Sequence, residues 1–213
     1  MNYLAHALLA EPYPHSLIGN IAGDLVKGPL AEQPLHPRVV DGIRRHRSVD
    51  VLTDSHPHYR ALKQYFPEGQ RRYAGIVLDV LFDHYLSRHW RRFSRWDPGQ
   101  FVEGVYEVLR NERELLPPVL AKVAPYWTDA DWLRVYESID GVHAVLRRLS
   151  RRLARPQDLS VILEQVLIHD RELEAGFLQV FDDVQLTLTQ RAPVNTASLA
   201  RAAPQNFSKE YPI

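Results

Sequence analysis

Apolar positions along the chain recur at three- and four-residue steps, the spacing of one helix face, and strand-like alternation is almost absent. A short helix is predicted over residues 2–10. Another is predicted over about 16–27, where Leu17, Ile18, Ile21, Leu25 and Val26 form a stripe. Pro29, Pro34 and Pro37 mark a loop. Pro37 suits the first position of a helix over 37–55, with Val39, Val40, Ile43 and Leu52 inward. Pro57 opens a short helix ending near Phe66-Pro67. Residues 70–93 read as one helix in which Ile76, Val77, Val80, Leu81 and Leu86 are interrupted by Asp79, Asp83 and His84. Asp97-Pro98 pairs an N-cap with a first-position proline for a helix over 98–115, which Pro117-Pro118 breaks. Thr128-Asp129-Ala130-Asp131 resembles a capping box opening a helix through Tyr136. A helix over 139–153 follows. Pro156 then precedes a long helix marked by Leu159, Ile162, Val166, Leu173, Phe177, Val184 and Leu188. Periodicity ends at Ala192. The pattern predicts an all-α, single-domain bundle of seven to nine helices over 1–190 and a loosely ordered tail over 191–213.

Composition narrows the chemistry. At 213 residues and 45% apolar, the chain is long enough for one core without covalent staples. It has no cysteine, which excludes disulfides, thiolate catalysis and Cys-ligated zinc or iron–sulfur clusters. Lys+Arg and Asp+Glu are 26 each, so a nucleic-acid binder working through bulk positive charge is not expected. No run approaches ~18 apolar residues, and the start lacks the basic segment of a secretion signal. A cytoplasmic protein without a membrane partner is expected.

What changes the picture is the set of ten histidines, several spaced against aspartates. His46 and Asp50 are four apart on the 37–55 helix, with Asp54 four further, so an imidazole and a carboxylate share a face. Asp79 and Asp83 are likewise four apart, beside His84, in the apolar segment GIVLDVLFDHYL. Inward carboxylates on one face repel each other unless a cation or proton intervenes. With Asp24 and His6 on the first two helices, four carboxylates and two or three imidazoles lie on four N-terminal helices. Such a set is either a group of Arg-paired surface charges or a metal site. An oxygen-rich site suits Mn²⁺, Mg²⁺ or Fe²⁺ better than structural Zn²⁺. His169-Asp170, among Glu164, Arg171, Glu172 and Glu174, reads instead as a wet or Arg-paired face.

In order along the chain come Asn2-Tyr3-Leu4-Ala5-His6, Gly19-Asn20, Gly23-Asp24 and His46-Arg47-x-x-Asp50-x-x-Thr53-Asp54. Leu78-Asp79-Val80-x-x-Asp83-His84-x-Leu86-Ser87-x-x-Trp90 and Ser150-Arg151-Arg152 follow. Over about residues 1–190 this series resembles the acyl carrier protein phosphodiesterase family, a divergent branch of the all-helical, metal-dependent HD-type phosphohydrolases. The resemblance implies an HD-like fold. It also implies hydrolysis of the phosphodiester joining 4′-phosphopantetheine to a serine of holo-acyl carrier protein, with Mn²⁺ as the preferred ion. The usual HD dipeptide is reversed here as Asp83-His84, so only this family's own motif positions carry over. Asp24, His46, Asp50, Asp79, Asp83 and His84 are then the metal-site candidates. Arg47, Arg151 and Arg152 are candidates to neutralise phosphoryl oxygens, and His84 or His6 to protonate the leaving serine.

Carrier proteins of this kind are acidic, so a neutral enzyme would meet one through clustered Arg. Arg88, Arg91, Arg92 and Arg95, beside Trp90 and Trp96, form one cluster. Arg147, Arg148, Arg151, Arg152 and Arg155 form another. The alternatives are a phosphohydrolase for a nucleotide or other small diester, and a non-catalytic helical binding module.

Overall fold

The computed structural model describes residues 1–191, and no strand occurs among them. Eleven α-helices follow one another: α1 (Tyr3–Leu8), α2 (Pro14–Ala22), α3 (Pro37–Ser55), α4 (Pro57–Leu62), α5 (Ala74–Arg88), α6 (Trp90–Phe93), α7 (Pro98–Asn111), α8 (Pro118–Asp129), α9 (Ile139–Ser150), α10 (Leu159–Val166) and α11 (Asp170–Arg191). The protein is thus all-α, as the periodicity predicts. Three of the helices have six residues or fewer, and the other eight match the expected number. Residues 192–213, the bulk of the expected tail, lie outside the described residues.

Helix starts follow local chemistry. Pro37, Pro57, Pro98 and Pro118 stand in the first turns of their helices. Asp97 accepts from the amides of Gly99 and Gln100, Ser138 from Gly141, and Asp158 from Ser160. Two expectations fail at such signals. Pro117-Pro118 does not only end a helix but begins α8, and Thr128-Asp129 closes α8 rather than opening a helix. Asp131 takes φ +50°, a left-handed turn that Asp tolerates. Its carboxylate accepts from Tyr106 Oη at 2.9 Å, while Tyr106 Oη accepts from the Leu133 amide, so this turn is held to α7. The long helix expected after Pro156 is two helices, separated by a 3₁₀ turn over Leu167–His169.

α5 is the buried centre. Val77, Leu78, Val80, Leu81, Phe82, Tyr85 and Leu86 are all inaccessible, and α1, α9, α10 and α11 pack around it. An aromatic seam of Tyr59, Phe82, Phe177, Phe181 and Phe93 ties α4, α5, α6 and α11 together at ring distances of 4.6–5.8 Å.

α2 and α3 meet backbone to backbone. A Cβ on Gly19 would lie 2.4 Å from the Val39 carbonyl oxygen and 2.6 Å from Gly42 Cα. Neither neighbour is a flexible side chain, so Gly19→Ala is expected to cost about 2–3 kcal/mol in urea unfolding. A stability near wild type would show that the two helices part freely.

Candidate metal centre

α1 has only six residues, too few to be helical alone. Its first turn is held by acceptors from elsewhere. The Asn2 side chain accepts from the Tyr3 amide at 3.0 Å. Asp83, on α5, accepts from the amides of Leu4 at 2.7 Å and Ala5 at 3.1 Å. Three amides with no intrahelical partner are satisfied, and a carboxylate sits at the positive end of the helix. Asp83 is fully buried, and that burial lifts its carboxyl to about 7 against the pull of the two amides. The anchor sets the roll of α1 so that His6 faces α3.

On α3, His46 and Asp50 are one turn apart. A Cβ on Gly23 would lie 2.1 Å from the His46 ring, so the imidazole rests where only glycine leaves room. His46 Nδ1 is 2.7 Å from the Asn20 carbonyl oxygen. A carbonyl only accepts, so Nδ1 carries a proton, and whenever the ring is neutral it presents a bare Nε2. The His6 and His46 rings stack, with centroids 3.7 Å apart. His6 Nε2 is 3.1 Å from Asp50 Oδ1, and His46 Nε2 is 3.1 Å from Asp50 Oδ2. Asp50 therefore meets one imidazole on each oxygen. Asp24 Oδ1 is 3.6 Å from His46 Nε2. Asp79 accepts from Tyr59 Oη at 3.1 Å and from the Met1 amino group at 2.9 Å, and that amino group is 3.9 Å from Asp50.

Burial opposes charge on all these groups, and their pairing decides the outcome. The Asp24 and Asp50 carboxylates outweigh it at His46 and lift that ring to about 9. At His6 burial wins over the Asp50 hydrogen bond, and the ring falls to about 4. The two imidazoles override burial at Asp50 and hold its carboxyl well below the usual range. The His46 hydrogen bond likewise depresses Asp24, whereas burial raises Asp79.

His6, His46 and Asp50 each offer a ligand atom, and these atoms lie within 4.8 Å of one another. The donor set fits a divalent cation. His46 Nε2 and His6 Nδ1 are buried without a well-aligned hydrogen-bond partner among the described residues, and the Asp50 and Asp24 carboxylates face His46 Nε2 at 3.1 and 3.6 Å.

The other expected site residues go elsewhere. His84 follows Asp83 but is turned about 100° round α5, where Nδ1 donates to the Tyr136 carbonyl at 2.8 Å. Arg47 donates to the carbonyls of Val26 and Gly28 and so ties down the loop after Asp24. Arg151 is exposed. Arg152, together with Arg148, lines a cavity of about 500 Å³ that Asp24 and Asp79 also border. Sequence reasoning placed Arg148 only in a surface cluster. It gave no role to Asn20 at the metal site, and none to Tyr3, Trp127 or Trp132, which line the same cavity. Of the two Arg clusters, the first is compensated at two of its four members. Arg88 pairs with Asp170 and Glu174, and Arg92 with Asp182, all on α11. Trp90 is core, its indole N–H donating to the Trp96 carbonyl. The second cluster has no ion pair to a carboxylate among the described residues. His169 packs on the Tyr65 ring, and Asp170 accepts from Tyr85 Oη and Arg88.

A family model described as acyl carrier protein phosphodiesterase matches residues 1–184. A protein of that name from Serratia proteamaculans is 38% identical over 183 residues, covering 85% of this chain and 94% of its own length. Proteins of the same name from Escherichia coli O157:H7 and Pectobacterium atrosepticum are each 35% identical over 193 residues, covering 90% of this chain and all of their own. No solved structure gives a significant match. The chain belongs to the acyl carrier protein phosphodiesterase family, and it is a phosphodiesterase rather than a non-catalytic helical module.

Proposed function

We propose that this member of the family releases 4′-phosphopantetheine from the serine of holo-acyl carrier protein, leaving apo-carrier. The reaction would use a divalent ion held by His6, His46 and Asp50, with Asp24 and Asp79 beside them. The observation that carries the reading is the convergence of two stacked imidazoles on one carboxylate, with His6 Nδ1 and His46 Nε2 buried and without a well-aligned hydrogen bond among the described residues. Carboxylate-rich surroundings favour Mn²⁺, with Mg²⁺ or Fe²⁺ as substitutes. When bound, the ion polarises a phosphoryl oxygen and makes water a nucleophile at neutral pH.

The chain's own residues do the positioning. The Asn20 carbonyl keeps the proton on His46 Nδ1, and Gly23 leaves room for the ring. Asp83 holds α1, and through it His6. In this reading His6 is a ligand rather than the proton donor, and Arg47 and His84 shape the site by binding carbonyls. In the same reading Arg148 and Arg152, which line the cavity that Asp24 and Asp79 border, would neutralise phosphoryl oxygens. The uncompensated Arg face at the end of α9 supports an acidic protein substrate and sits beside the cavity.

Mass spectrometry of a holo-carrier incubated with enzyme and Mn²⁺ tests the reading. The carrier is expected to lose the phosphopantetheine mass. Several carriers left unchanged by metal-loaded enzyme, with a small diester hydrolysed, would move the substrate to the nucleotide or small-diester class.

A further inference from the structure

We propose that Tyr59 is a positioning residue of the metal centre: its hydroxyl occupies one oxygen of Asp79 and so fixes the other as the atom offered to the cation. The inference rests on the metal-dependent reading above. Tyr59 lies outside every motif of the sequence. It is on α4, a helix of six residues that needs outside support. Pro57 stands in its first turn, and His56 caps it, accepting from the His58 amide through Nδ1 at 3.2 Å. His56 Nε2 then carries the proton and donates to Asp183 on α11 at 3.1 Å. A Cβ on Gly176 would lie 2.5 Å from Leu62 Cδ2, so α4 lies close on α11. Both contacts hold the helix that carries Tyr59.

The Tyr59 side chain is fully buried, and its ring stands edge-on to Phe82 of α5 at 5.5 Å. The hydroxyl is 3.1 Å from Asp79 Oδ1 and 3.5 Å from the Gly75 carbonyl oxygen. It has one proton to give, and the nearer, charged carboxylate takes it. The Met1 amino group reaches the same Oδ1 at 2.9 Å. Both donors thus converge on one oxygen, and Asp79 Oδ2 has no hydrogen bond among the described residues. Asp79 lines the cavity with Asp24, and the amino group it holds is 3.9 Å from Asp50. Asp79 therefore stands at the edge of the triad with one oxygen pinned and one free. A carboxylate that nothing holds turns about its own bond and offers either oxygen, and the buried hydroxyl prevents that turn. Partners that orient a metal ligand in this way account for about 10–100-fold in metal affinity.

Equilibrium dialysis with Mn²⁺ alone tests the role. Tyr59→Phe keeps the ring against Phe82 and removes only the hydroxyl. It is expected to bind Mn²⁺ about 10-fold more weakly than wild type while its melt stays close. Tyr85→Phe is the matched control, since that hydroxyl also donates to a carboxylate, Asp170, at 2.9 Å, but at the start of α11 and not at the triad. Its Mn²⁺ affinity should not change. Because Tyr59 acts through Asp79, removing its hydroxyl should weaken binding no further in an Asp79→Ala background. At saturating metal, the visible spectrum of Co²⁺-loaded Tyr59→Phe should move toward that of Asp79→Ala, which a packing defect would not produce. An affinity equal to wild type, an equal loss in Tyr85→Phe, a loss that adds in full to that of Asp79→Ala, or an unmoved spectrum would each overturn the proposal. Should Tyr59→Phe fail to fold, Asp79→Asn decides. The two donors then hold the amide oxygen on their side and leave its NH₂ toward the site, so this variant should bind Mn²⁺ as weakly as Asp79→Ala. Binding like wild type would overturn the proposal. A wild-type enzyme that binds no Mn²⁺ removes the metal reading itself, whereas wild-type binding with an unaffected Tyr59→Phe removes only the role of Tyr59.

Discussion

A His46→Gln enzyme is expected to bind Mn²⁺ more than about 100-fold more weakly and to turn over about 1,000-fold more slowly. Loss of a group that only orients a ligand already costs about 10–100-fold in affinity, and loss of the ligand itself costs more. Metal polarisation contributes several kcal/mol to such reactions, and each 1.36 kcal/mol is tenfold in rate. Gln is a fair test of the ring because its amide can still donate to the Asn20 carbonyl, so the α2–α3 contact need not open. His169→Gln is the control. His169 spells the usual HD dipeptide with Asp170, yet its ring packs on Tyr65, and Asp170 is taken by Tyr85 and Arg88. That change should shift stability by less than about 0.5 kcal/mol and leave turnover alone. Equilibrium dialysis and turnover on both variants check the pair. If His169→Gln loses the metal and His46→Gln keeps it, the site is not on the N-terminal helices.

The contrast between these two histidines shows what a sequence can disclose. His46 and Asp50 share a face because four residues make one helical turn, and that geometry is local. Helix starts at Pro37, Pro57 and Pro98 were legible for the same reason. Features that depend on a distant partner were not. The apolar stripe of residues 159–188 skips one turn, at His169-Asp170, but a single polar turn inside a long stripe does not by itself announce the 3₁₀ turn at Leu167–His169. Pro118 serves equally as a breaker and as a first residue, and only the observed structure shows the helix after it. Arg148 and Arg151 look alike in sequence, but only Arg148 and Arg152 line the cavity. Asp79 and Asp83 do share a face, yet their partners differ. One meets Tyr59 and the Met1 amino group, the other the backbone of α1.

That difference makes Asp83 the residue where stability and metal binding separate most sharply. Asp83→Ala is expected to lower stability by about 3 kcal/mol in urea unfolding. It leaves the amides of Leu4 and Ala5 buried without an acceptor, at about 1–3 kcal/mol each before relaxation, and removes the cap of a helix too short to persist alone. Asp83→Asn should fall in between. Its carbonyl can still accept one amide, and because burial already favours the neutral acid, the lost charge matters less than the lost acceptor. Metal affinity should fall in both, but through displacement of His6, and so in step with the loosening of α1. Asp50→Ala should show the opposite profile, with metal affinity lost outright and an unfolding midpoint much closer to wild type, since Asp50 is about one-third exposed. Urea titration together with Mn²⁺ dialysis places each variant on these two axes. An Asp83→Ala protein that unfolds like wild type while binding no Mn²⁺ would make Asp83 a ligand and remove the anchoring role argued for it. One that is destabilised yet keeps part of its metal affinity would fix Asp83 as the residue that positions His6.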